Sequence, residues 1–246
     1  MNFRARHHSG EPLVLPNVWD AASARIVEQA GAEAVATTSA GVAWSLGVPD
    51  GDRLTADDAA AVVARVVRAV DVPVTADIES GYGDVGATVR KVRAAGAVGV
   101  NIEDGASAEP GRIAAARAAG GDIFINARID TFLLGVGEVE ETVDRARRYL
   151  DAGADGIFVP GVVDPDVIAR LVDAIPAPLN VMVWAGAPSV AELAKLGVRR
   201  ISLGAAIAQA AYSLVRDAAA EILRYGTYDT TRAELTHGDL NTAFVH

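Results

Sequence analysis

Val72-Pro-Val-Thr-Ala-Asp77, a mixed polar and apolar run from Asp84 to Ala95 halted by Gly96, and then Val98-Gly-Val-Asn-Ile102 decide the fold of this chain. Two short apolar runs without polar alternation flank a segment of helical length. Such runs are strands buried on both faces, and a helix between them makes the pair parallel. Gly96 stands where a left-handed helix end requires it. Working outward, the unit repeats. Toward the amino terminus lie Pro12–Pro16 with a helix over about Ala21–Ala30, and Ala34–Thr37 with a helix over about Thr55–Val70. Toward the carboxyl terminus come Arg112–Ala119 as helix, Ile123–Arg128 as strand and Glu138–Ala152 as helix. Strands at Gly156–Pro160, Leu179–Val183 and Arg200–Leu203 then alternate with helices near Asp164–Ala174, Ser189–Leu196 and Ala205–Arg224. Eight strand–helix units without a Pro/Ser/Gly-rich linker predict one α/β domain over residues 1–246, a (β/α)₈ TIM-type barrel. An open doubly wound sheet would need a Gly-rich phosphate turn after an early strand, and none is present.

The composition narrows the chemistry. Hydrophobic residues make up 51% of the chain and charged residues 22%, so a sizeable core and a soluble protein are expected. No apolar run reaches the ~18 residues that span a bilayer. The start, Met1 to His8, has no apolar stretch behind its charges, so no signal peptide is read there and a cytoplasmic location is expected. A net charge of −10 disfavours nucleic acid and membrane partners. Without any Cys, thiolate nucleophiles, disulfides and Cys-type metal sites are excluded. Lys91 and Lys195, the only lysines, sit in helical patterns, which leaves a Schiff-base mechanism without its amine. His7, His8, His237 and His246 lie near the termini, away from any central triad or zinc site.

Active sites of such barrels gather at the carboxyl ends of the strands. Those ends carry Asn17 and Asp20, Thr38 and Ser39, Asp77 and Glu79, Glu103 and Asp104, Asn126 and Arg128, and Asn180. Asp20 and Asp84 read as helix caps, and Trp19, Trp44 and Trp184 as packing residues. Asp50, Asp77, Glu79 and Glu103 around one mouth could not all ionise unaided. A divalent cation relieves their repulsion, and a sparse carboxylate set with retained waters suits Mg²⁺. The cation would also attract an anionic substrate to an acidic protein.

The ordered motifs Asn17-Val-Trp-Asp20, Thr38-Ser-Ala-Gly-Val42, Leu46-Gly-Val-Pro-Asp50, Asp77-Ile-Glu-Ser-Gly-Tyr-Gly83, Gly99-Val-Asn-Ile-Glu-Asp104 and Asn126-Ala-Arg-Ile-Asp130 run along nearly the whole chain. With them, the sequence resembles the isocitrate lyase/phosphoenolpyruvate mutase superfamily, most of all its short bacterial members. The resemblance implies Mg²⁺ as cofactor, ligated by Asp77, with Glu79 and Glu103 holding it directly or through waters and Asp50 beside those waters. It implies a carboxylate bound by Thr38, Ser39 and the backbone at Ala40–Gly41, a clamp at Arg128 and a hydrogen bond from Asn180. Asp50, Glu103 and Arg128 are then the catalytic candidates. The reaction implied breaks a C–C bond of a small 2-oxo or 2-hydroxy carboxylate through an enolate; C–P chemistry and a non-catalytic carboxylate binder are the alternatives. A homodimer or homotetramer, joined by exchange of the last helix, is also implied.

One departure from the family stands out. The isocitrate and methylisocitrate lyases carry a Lys-Arg-Cys-Gly-His-like loop after the fourth strand, and this chain reads Asp104-Gly-Ala-Ser-Ala-Glu-Pro-Gly-Arg112, without Cys, Lys or His. That argues against both lyases by name. The mutase's Lys- and Asn-containing gating loop is missing as well.

Overall fold

Pro16 divides the first strand in two. The computed structural model describes residues 2–245, so His246 lies outside the described residues. Its strands are β1 (Leu13–Leu15), β2 (Asn17–Val18), β3 (Val35–Thr37), β4 (Val74–Asp77), β5 (Gly99–Glu103), β6 (Phe124–Arg128), β7 (Gly156–Val159), β8 (Leu179–Met182) and β9 (Arg200–Ser202). All neighbours pair in parallel, in the order β1-β9-β8-β7-β6-β5-β4-β3-β2. Proline has no N–H to give the ladder. Leu13–Leu15 therefore pairs with β9, and Asn17–Val18 with β3. Because β1 and β2 are halves of one run, the sheet closes through Pro16, and the TIM-type barrel read from the sequence is the architecture found.

The helices begin where side chains cap them. Asp20 accepts from the Ser23 amide at 2.7 Å, and Asp84 from that of Ala87 at 2.9 Å, so both are caps as expected. Thr55 with Asp58 and Ser189 with Glu192 form reciprocal capping boxes. Short helices at Phe3–Arg6, Ser39–Ser45, Thr131–Leu134 and His237–Thr242 were not read from the sequence. Each has at most two turns, too few for a hydrophobic period to show. No helix among the described residues is long and apolar enough to cross a membrane.

Alternation along the strands sorts side chains into shell and lumen. Val100, Ile102, Ile125, Ala127, Ile157 and Val159 are at most 1% exposed and pack in the cluster beneath the helices. Each Val and Ile side chain among them contributes roughly 1.5–3 kcal/mol of burial free energy. In the lumen, Phe3, Leu13, Leu15, Ala34, Ala36 and Phe124 close the base. The His7 ring stacks on Phe124 at 4.1 Å, so the Phe3–Arg6 helix and its first following residue plug the bottom of the barrel. Above this plug the lumen is polar where such barrels are usually aliphatic. Arg200, 1% exposed, reaches from β9 to the opposite wall, where Nη2 donates to Asn101 Oδ1 at 3.1 Å. Asn126 Nδ2 donates to Asn101 Oδ1 at 2.9 Å and to Asn180 Oδ1 at 3.0 Å.

Candidate active site

The lumen opens at the carboxyl ends of the strands into a cavity of about 340 Å³. Thr38, Ser39, Ala40, Asp50, Asp77 and Arg128, six residues named from the sequence, line it. Thr38 heads the Ser39–Ser45 helix, yet its side chain makes no capping bond. The first-turn N–H groups and two hydroxyls are thus left for an anion, which the positive end of a helix favours. Gly41 permits this close approach: a Cβ there would stand 2.7 Å from Thr38 Cγ2 and 2.9 Å from Trp19 Cβ.

Asp77 ends β4, where its amide donates to Thr37 Oγ1 at 2.9 Å and its Oδ1 accepts from the Glu79 amide at 3.1 Å. The chain then turns through Glu79 (φ 50°), Gly81 (φ 105°) and Tyr82 (φ 50°). Left-handed backbone at two non-glycine residues is costly and is kept only where the surroundings enforce it. A reciprocal clasp enforces it here. Glu79 Oε2 accepts the Gly51 amide at 2.9 Å and also the Asp52 amide, while Asp52 accepts from the Ser80 hydroxyl. The clasp seats the loop that brings Asp50, an exposed carboxylate, to the rim of the cavity. Glu79 Oε1 is buried with no hydrogen-bond partner.

Arg128 ends β6 between two carboxylates. Nη1 lies 2.8 Å from Glu103 Oε2, and Nε donates to Asp130 Oδ1 at 2.7 Å. Asp130 is placed in turn by Asp104, whose Oδ1 accepts its amide at 2.9 Å. Asp104 is a structural anchor: Oδ2 accepts from Arg145 Nη1 at 3.0 Å and from Tyr149 Oη at 2.7 Å. Burial pushes the carboxyls of Asp77 and Glu79 above their ordinary range, and that of Glu103 up to about 8 even against the opposing charge of Arg128. Burial opposes the charge on Arg128, but Glu103, Asp130 and Asp77 outweigh it and raise its pKa.

Four of the sequence-derived candidates stand off the cavity wall. Glu79 holds the 51–52 backbone, and Glu103 holds Arg128. Gly41 lies behind the wall. Asn180, 0% exposed, spends its amide below the floor on Val181 O, Arg200 O and Ser202 Oγ. Among the described residues no three His, Cys, Asp or Glu side chains converge to cage a metal ion. That geometry is unsuited to a fully dehydrated cation. It fits Mg²⁺, which keeps several waters and needs only one or two direct carboxylates. Asp77 is the one of the three predicted ligands that lines the cavity, Asp50 lines it beside Asp77, and the unpartnered Glu79 Oε1 and the raised carboxyls are the groups such a cation would satisfy.

Asn17, read at the first strand end, also lines the cavity, whereas sequence reading missed Asn101, Phe158, Met182, Ser202 and Leu203 as wall residues. Trp184, read as packing, is 42% exposed on the same wall. A parity signal was available for some of these. Asn101 stands two before Glu103 on β5, and Phe158 faces Arg128 in the β6–β7 register.

A chain with this site has recognisable relatives. A sequence model of the family described as phosphoenolpyruvate phosphomutase matches residues 3–223. An oxaloacetate decarboxylase of Bradyrhizobium is 32% identical, over 88% of this chain and 86% of its own. Among solved structures, a candidate lyase/mutase from Burkholderia cenocepacia J2315 superposes with a TM-score of 0.91 at 40% identity, covering 98% of this chain and 94% of that one. A phosphonopyruvate hydrolase in complex with oxalate and Mg²⁺ superposes with a TM-score of 0.85 at 28% identity, covering 98% and 92%. Joined with a barrel whose mouth gathers Asp77, Arg128 and the Thr38–Ala40 turn, these matches make the chain a member of the phosphoenolpyruvate mutase/isocitrate lyase superfamily.

Proposed function

We propose that this protein is a Mg²⁺-dependent lyase or hydrolase that cleaves a C–C bond of a small 2-oxo or 2-hydroxy carboxylate, the charge left on the departing fragment being carried as an enolate. The observation that carries this reading is that Asp77, Arg128 and the uncapped Thr38–Ala40 turn line one cavity. Bound at Asp77, Mg²⁺ would act as a Lewis acid toward the oxygens of the 2-oxo acid. The chain's own groups do the rest. The first-turn N–H groups and the Thr38 and Ser39 hydroxyls hold the substrate carboxylate. Arg128, fixed by Glu103 and Asp130 through Nη1 and Nε, retains Nη2 to stabilise the oxygen on which negative charge develops. Asp50, the exposed carboxylate at the rim, is the group placed to exchange a proton between ligand and solvent. A C–P bond enzyme is the second reading, supported by the phosphonopyruvate hydrolase among the structural neighbours. Residues 1–246 form a single functional domain, in a cytoplasmic protein, under the same proposal.

Self-association also belongs to it. In the Ala206–Tyr225 helix Ala208 is the one buried residue, while Leu214, Val215, Ile222 and Leu223 are 53% to 84% exposed. Beside its start a groove lined by Pro12, Val14, Val27 and Ala30 runs along the barrel flank. A homodimer or homotetramer in which these helices cover apolar surface of a second copy accounts for both.

Titration calorimetry with oxalate, a mimic of the pyruvate enolate, tests the function. Oxalate is expected to bind wild-type protein only with Mg²⁺, not at all to Asp77→Ala, and at least tenfold more weakly to Arg128→Ala with the fold intact by circular dichroism. Binding that ignores Mg²⁺ would remove the metal from the reading. Tight binding with no turnover across 2-oxo acids, hydroxy acids and phosphonates would favour a non-catalytic binder.

A further inference from the structure

Resting on the anion-binding cavity of that reading, we infer that Asn101 is a ligand-binding residue whose side-chain amide is turned N–H toward the cavity, as a fixed donor to an anionic oxygen of the substrate, and that Arg200 is the positioning residue that holds it so. Which way an asparagine amide faces is settled by its hydrogen-bond partners. Here the partners form one chain that starts at backbone carbonyls, which only accept. Asn180 Nδ2 donates to Val181 O at 2.8 Å and to Arg200 O at 3.2 Å, so its Oδ1 is the acceptor left over. Asn126 Nδ2 donates to that Oδ1 at 3.0 Å and, with its second hydrogen, to Asn101 Oδ1 at 2.9 Å. Arg200 Nη2, which can only donate, reaches the same Asn101 Oδ1 at 3.1 Å. Two donors thus converge on Oδ1, and Nδ2 is left for the cavity, on whose lining Asn101 stands beside its register partner Asp77. Nδ2 carries two hydrogens, so a bond to Asp77 still leaves one for the ligand.

Strand register makes this relay possible. Asn101 and Asn126 are partners on β5 and β6, and Asn180 and Arg200 are partners on β8 and β9. Between the two pairs lies β7, which presents Gly156 as the register partner of Asn126. A Cβ there would stand 3.1 Å from Asn126 Oδ1, so its absence lets the amide span β7 to Asn180. For stability alone the arrangement is a poor one. Arg200 is buried with Nε and Nη1 unpartnered, and Asn126 Oδ1 is buried without a partner as well. A charge so incompletely paired is less favourable there than a packed apolar side chain of similar volume. What the network does achieve is to fix one amide at its outer end, and that amide lines the cavity.

The test pairs oxalate calorimetry at saturating Mg²⁺ with thermal melts of the same full-length variants. Asn101→Asp, which keeps an acceptor for Arg200, and the uncharged Asn101→Leu both remove the donor, and each is expected to weaken oxalate binding about tenfold or more. Asn101→Asp should do so without lowering the melting temperature. Arg200→Met removes the incompletely paired charge, and it is expected to melt at or above the wild-type temperature while binding oxalate about threefold more weakly or worse. Arg200→Lys, which keeps a charged donor, is expected to recover most of that affinity. Unchanged oxalate affinity in Arg200→Met, or affinity and melting temperature falling together, would overturn the positioning role. Wild-type affinity in both Asn101 variants would overturn the inference and leave the proposed function standing. Failure of the wild-type protein to bind oxalate would overturn the proposed function, and this inference with it.

Discussion

His7 shows how one residue couples the base of the barrel to pH. Its ring stacks on Phe124, Nδ1 lies 2.9 Å from Phe3 O, and Nε2 is buried without a partner. Burial, followed by the positive charge of Arg200, pushes its pKa down to about 3. The folded state thus holds His7 neutral at pH values where the unfolded chain, near 6.5, takes up a proton. The unfolded state binds more protons between those values, so stability is full above about 6.5 and falls as pH drops toward 3, by roughly 1.4 kcal/mol per unit. Thermal melts of wild type are expected to fall over this range, and those of His7→Phe to fall less steeply. Identical slopes would show that His7 is already protonated in the fold. Arg200 makes the same point about charge: with Nε and Nη1 unpartnered, burial pushes its pKa down to about 9, and the hydrogen bond from its Nη2 to Asn101 ties the lumen to the cavity.

At the scale of the element, the turn after β4 decides whether the site exists. Gly81 adopts φ 105°, and a Cβ there would stand 2.5 Å from Val85 Cβ and 2.7 Å from its Cα. The second contact is backbone at the first position of the Val85–Ala94 helix, so it cannot yield by a rotamer change. Gly81→Ala is expected to destabilise by about 2 kcal/mol or more, combining left-handed strain with this clash. Because the same turn carries Glu79 and the clasp on Asp52, oxalate binding should weaken along with the melting temperature. A variant that melts like wild type would mean that the turn relaxes freely. At the neighbouring strand end, Asp104, Arg145 and Tyr149 fasten the loop after β5, with Arg145 Nη2 also bonded to Ala106 O at 3.0 Å. Here the segment lacking Cys, Lys and His is held by a buried ion pair.

Over the whole molecule, two behaviours follow from charge and exposed surface. Burial raises the carboxyls of Asp77, Glu79 and Glu103. In the metal-free protein a raised folded-state pKa contributes stability below the unfolded value that is lost as pH climbs, for Glu103 up to about 8. A cation held by ionised carboxylates offsets that loss. The gain in melting temperature on adding Mg²⁺ should therefore be larger at pH 8 than at pH 5.5, and equal gains would count against a carboxylate-held ion. For assembly, sedimentation should report at least twice the chain mass, and Val215→Asp with Leu223→Asp should reduce it. Wild-type protein sedimenting as a monomer would refute the self-association.

The barrel was legible in the sequence because each strand–helix unit carries its own local record. Apolar runs such as Val98–Ile102, glycine at helix ends such as Gly96, and caps such as Asp20 and Asp84 act over a few residues. Asp77, Arg128, Thr38 and Ser39 were legible as well, since they stand at strand ends, where barrels keep their chemistry. Contacts between residues far apart in the chain have no such local record. That Glu79 would clasp residues 51–52, that Glu103 would lock Arg128, and that Asn180 would sink beneath the floor depended on strand register and loop packing. So did the crossing of the lumen by Arg200 and the gathering of Phe158, Met182 and Trp184 into one apolar wall. Local propensity and pattern determined the fold and the candidate groups; closure of the barrel alone decided which of them share a cavity and which support those that do.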